Sequence, residues 1–452
     1  MHAAAVVRQG VPPADAPHVP VAIVGSGACG LTAALLMADA GIACVLLERD
    51  ASPSGSTALS SGFIPAPGTR VQRQHGIEDS PAQFARDIQT KTHGTAAPHL
   101  VEAYAAAIGP ALDALEQHHG LEFELLQGFV YPGHSALRMH AVPEKTGAAL
   151  MQRLLRAAEE AGITVLSNAL VRELWINAAG ELTGVGFDRP DGSKEHMRCD
   201  AVLLACNGFG GDSALVRELL PEMRNAAFAG HSGNDGSAIA WGRALGARLA
   251  DLGGYQGHGS WAVPHGVLVT WALMMQGAVQ VNRDGRRFHD EKRGYSEAAV
   301  DVLAQPGGIA WNVFDAKLLA FARGFPDFVA AEAAGAVRHA DSMAELAALV
   351  GCDAATLEAT LASAALTPPY CAVKVTGALF HTQGGLDIDA GCRVLHADGT
   401  PWLNLLAAGG AARGVSGNAV WGYLSGNGLL SAIAGGAITA ATLIGQLAKD
   451  KP

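Results

Sequence analysis

The sequence predicts an α/β protein with a mainly parallel sheet, interrupted by an inserted α+β segment. Three observations predict it. Residues 21–50 read as strand, glycine turn, helix and strand. The pattern of a strand running into glycines returns at residues 201–211 and again at residues 405–410. Between these returns, from about Gln256, the texture changes to a hairpin and short helices. A chain that leaves such a sheet and later rejoins it builds a discontinuous domain around an insertion.

Each element has its own reason. Residues 21–24 are short and mostly β-branched. Gly25, Gly27 and Gly30 then form G-x-G-x-x-G, with Ala28 and Cys29 inside the turn. Gly25 permits the tight turn, Gly27 lets a pyrophosphate approach the backbone, and Gly30 lets the helix pack close to the strand. Leu31, Ala34, Leu35 and Ala38 share one helical face. The N-terminus of that helix offers N–H groups and partial positive charge to phosphates. Residues 43–47 form the next strand. Glu48, 18 positions after Gly30, would accept hydrogen bonds from a ribose diol, and Arg49 follows it. The domain is therefore predicted to be Rossmann-like with a bound dinucleotide.

Further along, residues 51–70 are a Ser/Gly/Pro-rich loop, and helices are predicted near residues 81–90, 98–118 and 145–162. Residues 163–166 and 171–176 read as strands, with 184–187 pairing back. The strand 201–205 ends in Asn207-Gly208-Phe209-Gly210-Gly211. Residues 230–246 are a turn and a helix. Residues 279–288 carry a hairpin signal with Asp284-Gly285 in the turn. Short helices fill 296–366, and Pro368-Pro369 marks the exit. A strand pair surrounds Asp398-Gly399. The apolar stretch 429–447 reads as a buried core helix rather than a membrane span. The predicted division is a flexible tail at 1–18, the nucleotide domain at 19–257 and 373–452, and the capping domain at 258–372.

Composition excludes several classes. A chain of 452 residues with net charge −11 and no long basic run is a poor nucleic-acid partner. Seven dispersed cysteines without C-x-x-C argue against attached haem, an iron–sulfur cluster or structural zinc, and no metal is predicted. An odd count of such thiols fits a reducing cytoplasm. No membrane partner is expected.

The ordered motifs resemble the flavoprotein family of soluble fumarate reductases, succinate dehydrogenase flavoprotein subunits and 3-ketosteroid Δ1-dehydrogenases. Five blocks carry the likeness. They are the opening strand–helix–strand; Ser56-Thr57-Ala58-Leu59-Ser60-Ser61-Gly62; Ala205-Cys206-Asn207-Gly208-Phe209-Gly210; Val281-Asn282-Arg283-Asp284-Gly285-Arg286-Arg287-Phe288; and His381-Thr382-Gln383-Gly384-Gly385 with Ala407-Ala408-Gly409-Gly410. The resemblance implies FAD, with its isoalloxazine between nucleotide domain and cap. It assigns Val171, Ala205, Asn207, Gly208, Asp235, Gly409, Gly426, Asn427 and Leu429 to the cofactor, beside the residues of the first two blocks. Membrane relatives join a histidine to the flavin. Ser56 stands at that position and cannot form the bond, so the FAD is expected to be non-covalent. Gly410 replaces the family's usual acid.

The resemblance also places the chemistry. The slot of the proton-delivering arginine falls on Tyr295, or on Arg293 after a local shift. The upstream relay positions become Trp271 and Met274, and the substrate-clamping arginine becomes Tyr423. A dicarboxylate needs fixed cations to offset its desolvation, whereas tyrosines in apolar surroundings suit a neutral ketone, as in the 3-ketosteroid Δ1-dehydrogenase-like branch. A free phenol has a pKa of about 10, so a general-base tyrosine must be perturbed by its site. His381, Gln256 and His258 follow the carboxylate-holding pattern instead, and Arg138, His140 and Arg413 are further candidate anion contacts. Tyr131 and His134 lie in a Tyr-Pro-Gly-His-Ser loop. The expected reaction is α,β-dehydrogenation of a small, cyclic ketone or oxo-acid, or its reverse, with Tyr295, Tyr423 and His381 as catalytic groups and a separate electron acceptor. The alternatives are a fumarate-reductase-like enoate reductase and a non-catalytic electron-transfer flavoprotein.

Overall fold

In a computed structural model, residues 5–128 and 130–447 are described. They form two compact units. The first comprises Met1–Leu215, Gly230–Gly254 and His381–Pro452, and the second Val216–Ala229 and Tyr255–Phe380.

The first unit is built on a nine-stranded sheet. Its centre is the parallel trio Lys194–Leu204, His18–Val24 and Cys44–Leu47, extended by Thr164–Leu166. Pro401–Ala407 pairs in parallel with the end of Lys194–Leu204, so the late chain does return to this sheet. Leu182–Asp188 pairs antiparallel with both Leu170–Ile176 and Lys194–Leu204. The central strands are buried on both faces, which is why they read as unbroken apolar runs. Two helices cover one another beside the sheet. Small residues let them meet closely: a Cβ added at Gly436 of Asn427–Leu447 would lie 2.5 Å from the Cys29 carbonyl oxygen on Ala28–Asp39. Asn427–Leu447 is long and apolar enough to cross a membrane, but 56% of its apolar window is buried inside the protein.

The second unit is a seven-stranded sheet around Tyr370–Thr382, which pairs antiparallel with Ile309–Asp315 and Val337–Ala340 and in parallel with Ala227–Phe228. Five helices between Tyr295 and Leu361 cover it.

Several expectations change. The predicted flexible tail 1–18 contains the strand Val6–Gln9, paired in parallel with Glu173–Ile176, because its Val-Val pair finds an open sheet edge. The predicted division at 257/258 and 372/373 shifts. Val216–Ala229, Tyr255 to Gly257 and residues 373–380 lie in the second unit, since Ala227–Phe228 and Tyr255–Ala262 are strands of its sheet. The hairpin at 279–288 shrinks to one bridge, Val281 to Arg287, around the Asp284-Gly285 turn. Val279–Val281 pairs instead with Ile309–Asp315, a strand that the helix-rich reading of 296–366 missed.

Candidate active site

The glycine turn does what its spacing demands. Gly25 has φ +106°, and a Cβ there would sit 2.6 Å from the Ala205 carbonyl oxygen. A Cβ on Gly30 would lie 2.1 Å from the Gly25 oxygen, so glycine is required for the helix to pack on its own turn. Gly27 has no such neighbour: its nearest atom, Thr57 Oγ1, would be 3.4 Å away, leaving its face open. That open face belongs to a cleft within the first unit.

The cleft is lined by Gly25, Gly27, Ala28, Cys29, Glu48, Arg49, Ser56, Thr57, Val171, Ala205, Asn207, Asp235 and Gly409, all of them expected from sequence. Seven other expected contacts are not in its wall. Gly30 packs inside the turn, and Gly62 lies against the Thr146–Gly147 backbone. Gly208 lies against Thr382, and Gly426 (φ +87°) against Pro65. Asn427 is buried and donates to Ser416, Leu429 is buried in the final helix, and Ser61 is half-buried. Gly30 and Gly208 pack against the lining residues Gly25 and Gly410 from behind. Sequence reasoning missed Ser26, Asp50, His231, Asn234, Ser237 and Trp241, which also line it. Only the Asn234-Asp235-Gly236 turn carried a signal.

The polar groups of the cleft are fixed. Glu48 accepts from the backbone N–H groups of Ser26 (3.2 Å) and Asp50 (3.0 Å). Arg49 donates to the Gly233 carbonyl at 2.7 Å and to Asp235 at 3.3 Å. His231 pairs with Asp50 at 3.0 Å. Asn207 holds a left-handed φ of +65°, accepts from the Gly208 N–H at 2.8 Å, and donates to Ser56 Oγ at 2.8 Å. Asn234 donates to the same oxygen at 3.0 Å. Both lone pairs of that hydroxyl are then used, which leaves its proton as a donor.

In the second unit, Tyr295 is the first residue of the helix Tyr295–Leu303. Its ring stacks on His258 (centroids 4.8 Å, 20°) and meets Trp271 edge-on (6.5 Å, 66°). Trp271 is held by a hydrogen bond from Nε1 to the Glu291 carbonyl, 3.1 Å. His258 Nδ1 accepts from the Ser260 N–H at 3.1 Å, so the neutral ring carries its proton on Nε2. Burial pushes this histidine down to about 3. Met274 is buried in the core below, and Gln256 is half-buried two residues along the same strand face. Arg293 does not share this group. Its side chain is 57% exposed and lies 3.7 Å from Asp301.

In the first unit, His381 and Tyr423 meet edge-on (5.7 Å, 74°). Burial pushes His381 down to about 4. The other expected anion contacts are engaged elsewhere. Arg413 donates to Asp251 (2.6 Å) and Asp387 (3.3 Å), and although desolvation lowers its pKa, these carboxylates leave it raised overall. Fully buried Arg138 is clamped by Asp79 and Asp87 over the Phe84 ring. His140 bonds Thr69 and the Arg138 carbonyl. His134 bonds the Ser425 carbonyl at 3.0 Å, and Tyr131 packs near Phe63. These arginines are framework pairs, because a guanidinium facing two carboxylates has no charge left for a ligand. Among the described residues, no cluster of His, Cys, Asp and Glu could hold a metal ion.

Comparison with known proteins agrees with this geometry. The sequence profile described as "FAD binding domain" matches residues 20–429. The NADH:fumarate oxidoreductase of Klebsiella pneumoniae is 27% identical over 421 residues, covering 88% of this chain and 45% of that protein. The 4-oxocyclohex-2-ene-1-carboxylate 5-dehydrogenase of Sinomonas cyclohexanicum is 24% identical over 549 aligned positions, covering 89% and 90%. The chain thus spans less than half the length of the first relative. Among solved structures, the open form of a flavocytochrome c3 fumarate reductase superposes with TM-score 0.81 at 25% identity, over 95% of this chain and 78% of that one. A 3-ketosteroid Δ1-dehydrogenase of Sterolibacterium denitrificans superposes with TM-score 0.78 at 19% identity, over 95% and 100%.

The residues present fit FAD. The cleft is lined by a glycine turn, an acid and small polar side chains, the donor set a dinucleotide needs. Gly27 leaves a face that a side chain would occupy, a helix N-terminus adjoins it, and Glu48 is anchored for a diol. Gly25, Gly27, Ala28, Cys29, Glu48, Ser56, Thr57 and Asn207 are the residues that would hold it.

Proposed function

Because the chain belongs to the FAD binding domain family, we propose that it is an FAD-dependent oxidoreductase acting on a CH–CH bond beside a carbonyl. The substrate is a small cyclic ketone or oxo-acid, and the cofactor is bound without a covalent link, since Ser56 stands where a linking histidine would be. The observation that carries this reading is the setting of the two tyrosines. Tyr295 lies against His258 and Trp271, and Tyr423 against His381, while Arg293, Arg413 and Arg138 are engaged by carboxylates.

The roles follow from the groups. Tyr295 Oη takes the proton α to the carbonyl. Tyr423 and His381 donate hydrogen bonds to the oxygen on which negative charge develops, the kind of preorganised stabilisation that lowers enolisation barriers. Trp271 and Met274 exclude water and favour an apolar ring over a dicarboxylate. FAD, when bound, supplies the two-electron acceptor for the hydrogen leaving the β carbon. A separate acceptor of quinone or dye type then restores it. Seven unpaired thiols support a reducing, cytoplasmic setting.

The test is anaerobic bleaching of the flavin absorbance with cyclic ketones and oxo-acids, beside turnover of fumarate with a reduced dye. Bleaching by ring ketones supports the proposal. Turnover of fumarate with reduced dye, and none with the ketones, would establish the enoate-reductase reading that the buried histidines favour. No response to any of them would leave an electron-transfer protein.

A further inference from the structure

Behind His381 runs a buried chain of side chains that no catalytic role uses. Asn427 Nδ2 donates to Ser416 Oγ at 3.0 Å, Ser416 Oγ donates to Gln383 Oε1 at 2.9 Å, and Gln383 Nε2 donates to His381 Nδ1 at 3.1 Å. Asn427 is 0%, Ser416 1% and Gln383 3% exposed, so water does not compete for these bonds. We propose that Gln383, backed by Ser416 and Asn427, is a positioning residue that locks His381 as its Nε2–H tautomer. His381 then faces the substrate as a neutral hydrogen-bond donor and not as a base.

Donor inventory gives the direction. A hydroxyl has one proton, and an amide nitrogen only donates. If Ser416 spends its proton on Gln383 Oε1, it accepts from Asn427, and Gln383 Nε2 must donate to His381. The ring's single proton then sits on Nε2. The reversed chain would run from Nδ1–H to Gln383, to Ser416, to the Asn427 oxygen. It would put the Asn427 NH₂ where Oδ1 now lies buried without a partner. Two stranded N–H groups cost more than one under-satisfied carbonyl oxygen. The Thr382 carbonyl, 3.3 Å from Nδ1, favours the reverse, but it is the longer contact and belongs to the adjacent residue. Neutrality has two sources. Burial opposes the imidazolium. The ring edge also lies against the start of the final helix, where a Cβ on Gly428 would come within 2.6 Å of Nε2, and the positive end of the helix dipole disfavours a second proton.

The inference rests on His381 belonging to the site proposed above. Its test is a long-range ¹H–¹⁵N correlation spectrum of holoenzyme labelled with ¹⁵N-histidine, the His381 signals being those lost in His381→Asn. The expected result is an Nε2–H pattern that persists through neutral pH without substrate. In Gln383→Glu the carboxylate accepts from Nδ1, so the tautomer should switch and the ring should become protonatable near neutrality. Turnover in this variant should fall on the order of 10²–10³-fold, as when one oxyanion donor is lost. Gln383→Met should give mixed tautomers. An Nδ1–H pattern in the native protein, or an unchanged pattern in Gln383→Glu, overturns the proposal. The spectrum needs no turnover, so failure to find a ketone substrate would count against the reaction and not against the tautomer.

Discussion

A half-buried phenol stacked on a buried imidazole divides the chemistry by what each can carry. His258 is held neutral by burial and has its Nδ1 committed to the Ser260 N–H. It therefore cannot be the base near neutral pH, and the proposed reading gives that task to Tyr295. Tyr295→Phe keeps the ring and its stacking but removes the oxygen. Its kcat should fall about 10²–10⁴-fold, the range of general-base removal, while the flavin spectrum and FAD content stay as in the native protein. Retention of near-native turnover would remove Tyr295 from the mechanism. Arg413→Gln separates framework from site. It leaves Asp251 and Asp387 without their shared cation, so the cost should fall on stability, on the order of 3–5 kcal/mol for a broken buried pair, rather than on KM. At this scale the glycine fingerprint and Glu48 were legible because their spacing is itself the chemistry. The arginines were not. Arg413 meets Asp251 across 162 residues and Arg138 meets Asp79 across 59, and no local pattern reports such partners.

Elements were legible where helical spacing shows one buried face or where a glycine turn follows the strand, as at residues 21–24 and 201–204, and hidden where a strand buried on both faces has neither signal. Gly147–Glu160 alternates its apolar residues at helical spacing, and its sequence announces it. Tyr370–Thr382 is a 13-residue strand buried on both faces, so it has no alternation and follows a Pro-Pro that reads as punctuation. Ile309–Asp315 was hidden for the same reason. The final helix was recognised, but its length and hydropathy left its location to be argued. The small residues settle that physically. Gly436 sits where a Cβ would lie 2.5 Å from a backbone oxygen of Ala28–Asp39, the helix whose N-terminus abuts the cleft. Gly436→Val must push the helices apart. The expected cost is roughly 1–3 kcal/mol, as for other overpacked cores. The Kd for FAD should rise with it, because the displaced helix carries Ala28 and Cys29. Chemical denaturation and reconstitution of the apoprotein with FAD measure the two effects, and a loss of stability with unchanged FAD affinity would show that the helix pair does not hold the turn in place.

For the whole molecule, buried neutral histidines tie folding to proton concentration. His134 and His381 are pushed down to about 4 in the first unit and His258 to about 3 in the second, in each case mainly by burial. In the unfolded chain each titrates near its ordinary 6.5. Between 6.5 and the folded values the unfolded state binds more protons, so stability rises with pH across that window and is lost as pH falls through it. Above 6.5 both states are neutral, and these groups contribute no slope. Each histidine adds at most about 1.4 kcal/mol per pH unit inside the window. Denaturant midpoints of holoenzyme should therefore be level above neutrality and decline steeply from pH 6.5 toward 4. His134→Gln removes one of these groups, to which burial also adds His140 and His289, and should flatten the decline measurably, even though losing the bond to the Ser425 carbonyl lowers the whole curve. A midpoint that stays level down to pH ~4.5 in the native protein would mean that these imidazoles reach water in the folded state. That result would also undercut the neutral, donor-only role of His381, since the same burial supports both.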